Sequence, residues 1–147
     1  MSSLYAWQLK DWALLASYFK QQRIPQALLL AGQGGLGQES LARVFAQALL
    51  CHQRQANEQA CGQCQACLLF NADTHPDFFV VAPEEGVKTI SVDTMRNLMA
   101  RLTLKPQYSA HRVVLIQPAD AMNANAYNAF LKYLEEPTET HGFIASD

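Results

Sequence analysis

Between Lys20 and Lys88 the sequence contains no lysine at all. Any phosphate-binding chemistry in that stretch has to do without the ammonium group that normally reaches the β and γ phosphates. Basic excess is missing too: 11 Lys and Arg stand against 13 Asp and Glu, a formal charge of −2. That balance excludes the electrostatic footprint of a chain that binds nucleic acid by itself, so any DNA contact has to be shared with partners. No run approaches the roughly 20 apolar residues of a membrane span. The start, Met1-Ser2-Ser3-Leu4-Tyr5-Ala6-Trp7, meets Lys10 and Asp11 before a long apolar run develops, so it does not read as a signal peptide. These absences predict a soluble, cytoplasmic protein with no membrane partner. Cysteine is absent outside the segment 51–67. In a reducing compartment, four cysteines clustered there read as metal ligands rather than disulfides.

What is present is enough for one domain with a real core: 147 residues, half of them hydrophobic and only 16% charged. Trp12, Leu15 and Phe19, with Leu14 and Tyr18 beside them, recur at helical spacing from Trp7 to about Arg23, where Ile24-Pro25 ends the helix. Four short apolar runs read as strands: Ala27 to Leu30, Phe78 to Val81, Val113 to Ile116, and one beginning at Gly142. Helices fall between them. Leu41, Val44, Phe45, Ala48 and Leu49 mark one. Val92, Met95, Leu98, Met99 and Leu102 mark another, capped by Ser91 with Asp93 in its first turn. Ala126, Tyr127, Phe130, Leu131 and Leu134 carry a third, stopping at Glu135-Glu136-Pro137. Pro83-Glu84-Glu85-Gly86 is a turn, and His75 in Thr74-His75-Pro76-Asp77 reads as a turn residue in preference to a ligand. Strands alternating with helices predict an α/β fold with a parallel, right-handed sheet.

The first strand runs into Gly32-Gln33-Gly34-Gly35-Leu36-Gly37-Gln38-Glu39-Ser40. This has the frame of G-x-x-x-x-G-K-[ST], in which backbone N–H groups surround phosphate oxygens, the Lys reaches the terminal phosphates and the hydroxyl holds Mg²⁺. Gly32 and Gly37 keep the five-residue step, and Gly34 and Gly35 lie between them. Gln38 stands where the Lys belongs and Glu39 where the hydroxyl belongs. A neutral amide does not offset phosphate charge, and a carboxylate repels it. A glycine-rich surface turn is the alternative, but strand, loop and following helix supply the context the motif requires. A nucleotide hydrolase also needs an acidic residue at the end of a later apolar strand to organise Mg²⁺. Here Val113 to Ile116 ends in Gln117-Pro118, and Asp120 lies too far along. Two losses at one site predict a vestigial phosphate loop that binds no ATP productively, with no catalytic residue.

Cys51, Cys61, Cys64 and Cys67 form C-x9-C-x2-C-x2-C. The two-residue gaps turn neighbouring sulfurs toward one ion and the longer gap lets the fourth close over it. Four thiolates complete a tetrahedral Zn²⁺ with no open position, so the site is structural. An iron–sulfur cluster is the main rival, although the C-P element of the ferredoxin pattern is missing. Free thiols or a redox C-x-x-C pair fit the spacing poorly, and His52 competes with Cys51 as ligand. Residues 51–67 are read as a zinc-binding insertion within one domain spanning 1–147.

These motifs, with Thr74-His75-Pro76-Asp77 and the box Asn128-Ala129-Phe130-Leu131-Lys132-Tyr133-Leu134-Glu135-Glu136-Pro137, resemble the N-terminal part of the delta-prime family of the bacterial DNA polymerase III clamp loader. The resemblance covers essentially the whole chain. It implies an AAA+ fold, a P-loop NTPase-like parallel sheet with helices on both faces. The box is shared with the ATP-hydrolysing tau/gamma subunits, and the absent Lys separates the two; an active motor of that type is the alternative. The family's role implies a non-catalytic stator that packs beside tau/gamma and delta subunits while the complex loads the sliding clamp onto primed DNA. The same resemblance makes the four cysteines zinc ligands and puts a sensor position near Ser146. It also implies that the Ser-Arg-Cys box, the lid, the collar and the last strand lie beyond residue 147.

Overall fold

A computed structural model describes residues 4, 8–22, 27–30, 38–102, 112–118, 121–135 and 141–146. Nine elements follow in order: α1 (Leu9–Lys20), β1 (Ala27–Leu30), α2 (Gln38–Leu50), α3 (Gln65–Asn71), β2 (Phe78–Val81), α4 (Val92–Leu102), β3 (Arg112–Ile116), α5 (Ala124–Leu134) and β4 (His141–Ser146). The strands form one parallel sheet in the order β1-β4-β3-β2. From β1 the chain crosses to the opposite edge at β2, then returns one strand at a time through β3 to β4. Parallel neighbours require such crossovers, which the helices provide.

β3 is buried at every position, and its alternation divides the core. Val113 and Leu115 pack with Trp12, Leu15 and Phe19 of α1, Phe45 and Leu50 of α2, and Phe70 of α3. Val114 and Ile116 face the other way, against Met95, Leu98 and Leu102 of α4 and Ala126 and Phe130 of α5. Successive side chains of a strand point to opposite faces, so four apolar residues in a row are the signature of a strand covered on both sides. α1, α2 and α3 therefore cover one face and α4 and α5 the other.

The local signals work as their chemistry dictates. Ser91 Oγ accepts the N–H of Thr94 at 3.2 Å and opens α4; Asn123 Oδ1 accepts the N–H of Ala126 at 2.8 Å and opens α5. In the turn after β2, the Val87 N–H donates to the Glu84 carbonyl at 2.9 Å. Gly86 sits there at φ +79°, a conformation that a Cβ disfavours. α1 is shorter than the Trp7-to-Arg23 span its periodicity predicts, because Gln21 and Gln22 already turn out of the helix. Tyr127 and Leu131 belong to the apolar pattern of α5 yet are 48% and 40% exposed. The buried stripe is therefore narrower than the apolar one.

Candidate metal centre

Each of the four cysteines is delivered by a different piece of local structure. Cys51 follows the last residue of α2, its N–H still donating to the Gln47 carbonyl at 2.9 Å. Cys61 lies at the end of the following loop, beside Gly62 at φ +75°. Cys64 stands at the N-cap of α3, and Cys67 lies on that helix with Ala66 and Phe70 among its buried residues. No sequence signal marks α3: its seven residues, opened by a cysteine, carry no cap signal and less than two full turns.

The four sulfurs converge. Cys51 Sγ lies 3.6 Å from Cys61 Sγ and 3.8 Å from Cys64 Sγ, and Cys61 Sγ lies 4.0 Å from Cys67 Sγ. All four are within 4.8 Å of one another. A tetrahedral ion with metal–sulfur bonds of about 2.3 Å needs sulfurs about 3.8 Å apart, so the donor set fits a single metal ion. His52, the alternative ligand, is exposed and outside this group.

Backbone amides surround the sulfurs. Cys51 Sγ accepts the N–H groups of Gln53 and Cys61, both at 3.3 Å. Cys61 Sγ accepts those of Gln63 and Cys64 at 3.4 and 3.2 Å. Fixed N–H donors stabilise a thiolate, and those of Gln63 and then Cys64 lower Cys61 to a pKa of about 6. Burial pushes Cys64 up, but the N–H groups of His52 and Cys67 outweigh it and the net shift is downward. Burial wins at Cys51, which is raised, and at Cys67, which is pushed up to about 12 despite the N–H of Gly62. A cation at the centre of the four favours the thiolate at every one of them. Gln47, buried on α2, adds a side-chain amide that bonds Cys67 and donates to Asn71 Oδ1 at 3.3 Å. No motif marks Gln47 in the sequence; only its burial among apolar neighbours does.

His75 takes no part in this cluster. Its Nδ1 accepts the Asp77 N–H at 3.1 Å, the turn role its position beside Pro76 predicts.

A family model described as DNA polymerase III, delta subunit, matches residues 7–145. The chain belongs to this family. Among the relatives of the delta-subunit family member described here is DNA polymerase III subunit delta' of Pseudomonas aeruginosa. It is 46% identical over 138 residues, 94% of this chain and 41% of the relative. The subunit delta' of Escherichia coli is 36% identical over 143 residues, covering 97% and 42%. Subunit tau/gamma of Haemophilus influenzae is 30% identical over 130 residues, covering 88% and 18%. The chain thus spans about two-fifths of the length of its delta' relatives. The crystal structure of a gamma subunit-related protein from Thermotoga maritima superimposes with a TM-score of 0.56 at 18% identity, covering 95% of this chain and 38% of that one. It shares the fold.

In this delta-subunit family member the glycines of the phosphate-loop frame, Gly32, Gly34, Gly35 and Gly37, lie outside the described residues, as does Asp120. Gln38 and Glu39 are the first two residues of α2. The loop leaves the carboxyl end of β1, whose Leu30 is in register with Ser146 of β4. Gln117 follows β3 at the same edge, its N–H donating to the Val81 carbonyl at 2.9 Å. Ligands of open α/β sheets bind outside the carboxyl ends of the strands, and the ends of β1 and β4 and Gln117 share that edge. No helix among the described residues is long and apolar enough to cross a membrane.

Proposed function

We propose that the chain is the AAA+ region of a non-catalytic clamp-loader subunit, a rigid stator beside ATP-hydrolysing tau/gamma subunits and a delta subunit. In this reading it supports loading of the sliding clamp onto primed DNA in the cytoplasm without turning over ATP itself. The observation that carries it is the head of α2. Gln38 opens the helix where a working loop presents its Lys, and Glu39 follows in place of the hydroxyl. At the same edge β3 leads into Gln117 in place of a carboxylate. Loss of both the cation for phosphate and the acid for Mg²⁺ removes two separate sources of charge stabilisation. Family membership supplies the setting. The alternative, a motor of the tau/gamma type, makes a different forecast: titration with a fluorescent ATP analogue and Mg²⁺ would then show micromolar binding and turnover. The stator reading expects neither.

For the metal we infer Zn²⁺ held by Cys51, Cys61, Cys64 and Cys67, a structural ion in the insertion 51–67. Thiolate ligands select soft ions and exclude Mg²⁺ or Ca²⁺, and four sulfurs leave no place for water or substrate. Elemental analysis of protein purified without added metal tests this. One equivalent of zinc per chain is expected; one of iron sinks the assignment.

A further inference from the structure

The loop between Cys51 and Cys61 does more than separate two ligands. Its backbone folds on itself: Gln55 N–H donates to the Gln59 carbonyl at 2.8 Å, and Glu58 N–H to the Gln55 carbonyl at 2.9 Å. The Gln55 side chain donates to the Ala60 carbonyl at 2.8 Å. From this compact loop two contacts reach α1, more than thirty residues earlier in the chain. The Trp12 indole N–H donates to the Asn57 carbonyl at 2.9 Å. The Arg54 guanidinium lies over the Phe19 ring, 4.1 Å from its centroid. Arg54 is itself held, by an ion pair with Glu58 at 3.1 Å and by donation from Nη1 to the Ala48 carbonyl at 3.3 Å near the end of α2.

α1 is held by packing. It is 12 residues long, and its N-cap residue, Gln8, makes no side-chain capping bond. A helix of that length is marginal in water and depends on packing. Its buried face is Trp12, Leu15, Ala16 and Phe19, with Trp12 and Phe19 also meeting the Phe45 ring of α2, centroids at 6.4 and 5.4 Å. Opening the loop would leave a nearly buried indole N–H without its acceptor and uncover one face of Phe19.

We propose that the metal-closed loop 52–60 is a clasp that holds α1 onto the sheet, so that docking of the N-terminal helix is linked to metal occupancy. The inference rests on the metal reading above. Drawing the sulfurs of Cys51 and Cys61 together fixes both ends of the loop, and the fixed loop presents Asn57 and Arg54 to α1. Without the ion the loop regains its conformational freedom, and the two contacts must be made at the expense of that entropy. A buried aromatic face of α1 then becomes available, and metal occupancy controls its exposure.

Hydrogen exchange on the full chain, read by mass spectrometry before and after chelation with metal content measured alongside, tests this. Amides of α1 should exchange at least about tenfold faster once the metal is removed, while those of α4 and α5, on the other face, keep their rates. Arg54→Ala should speed α1 in the same way with the metal still bound, and Arg54→Lys should restore part of the protection. Unchanged α1 exchange in demonstrably metal-free protein overturns the clasp and leaves the metal centre standing. A chain purified without metal overturns the metal reading instead. Arg54→Ala then decides whether the loop alone clasps α1, and unchanged exchange in that variant ends the proposal.

Discussion

His75 shows how a single buried residue sets a pH dependence. It is 6% exposed, and burial lowers its pKa from the ordinary 6.5, with the Asp77 carboxylate opposing the shift and His52 adding to it. Its Nδ1 is an acceptor, and protonation there would remove that bond. Because the folded pKa lies below the unfolded value, the unfolded chain takes up the proton first as pH falls. The associated stability is present above the unfolded pKa and is lost as pH drops through the window below it. Urea unfolding midpoints should therefore fall as the pH is lowered below about 6.5, and His75→Gln should flatten that slope. A second buried group, Arg112, is 2% exposed, lies 3.8 Å from the fully buried Asp77 carboxylate, and donates from Nη1 to the Arg101 carbonyl at 2.7 Å. It ties the start of β3 to the end of α4 and to the turn before β2. Arg112→Met should cost about 3 kcal/mol in urea unfolding, because it removes the cation beside a buried carboxylate, and pairing it with Asp77→Leu should recover most of the loss. Neither partner is distinguishable from a surface charge in the sequence, where Arg112 merely precedes an apolar run. Their pairing depends on β2 lying beside β3.

At the scale of elements, α2 is the member that joins everything on its face of the sheet. It carries Phe45, 1% exposed, beneath Trp12 and Phe19 of α1; Cys51, the first of the four clustered cysteines, follows its last residue, and Gln47 on it bonds α3 through Asn71. Phe45→Ala should destabilise the chain by about 3–5 kcal/mol, the cost of a large aromatic removed from a packed core. It should also raise the exchange of α1 amides more than that of α4. If the loss were below about 1 kcal/mol, the aromatic cluster would not be what seats α1. The helical period of α2 is plain in the sequence because Leu41, Val44, Phe45 and Ala48 all fall on one face and are all buried. The α5 pattern is equally periodic yet misleading in width, since Tyr127 and Leu131 face outward. Periodicity identifies an apolar face; how much of it is covered depends on neighbouring elements that the period does not describe.

For the whole molecule, the metal reading proposed above predicts that the cysteine module and the sheet are separable in their effects on folding. Cys64→Ser should lower bound metal well below one equivalent and loosen the loop and α1, yet leave a cooperative unfolding transition. The strands, α4 and α5 contain none of the four cysteines, and one core cluster lies wholly on the far face. Loss of the entire transition in circular dichroism would show that the module is integral to the fold. The sequence by itself determined the α/β class, the positions of four strands, the caps at Ser91 and the four cysteines, because those signals are local. They are an unbroken apolar run for a strand, a recurrence at three or four residues for a helix, and two-residue gaps between sulfurs. Only the tertiary structure decided the order β1-β4-β3-β2, the assignment of α1, α2 and α3 to one face, and the meetings of Trp12 with Asn57 and of Asp77 with Arg112. Those depend on which distant segments bury each other's apolar faces, and a local repeat carries no record of its partner.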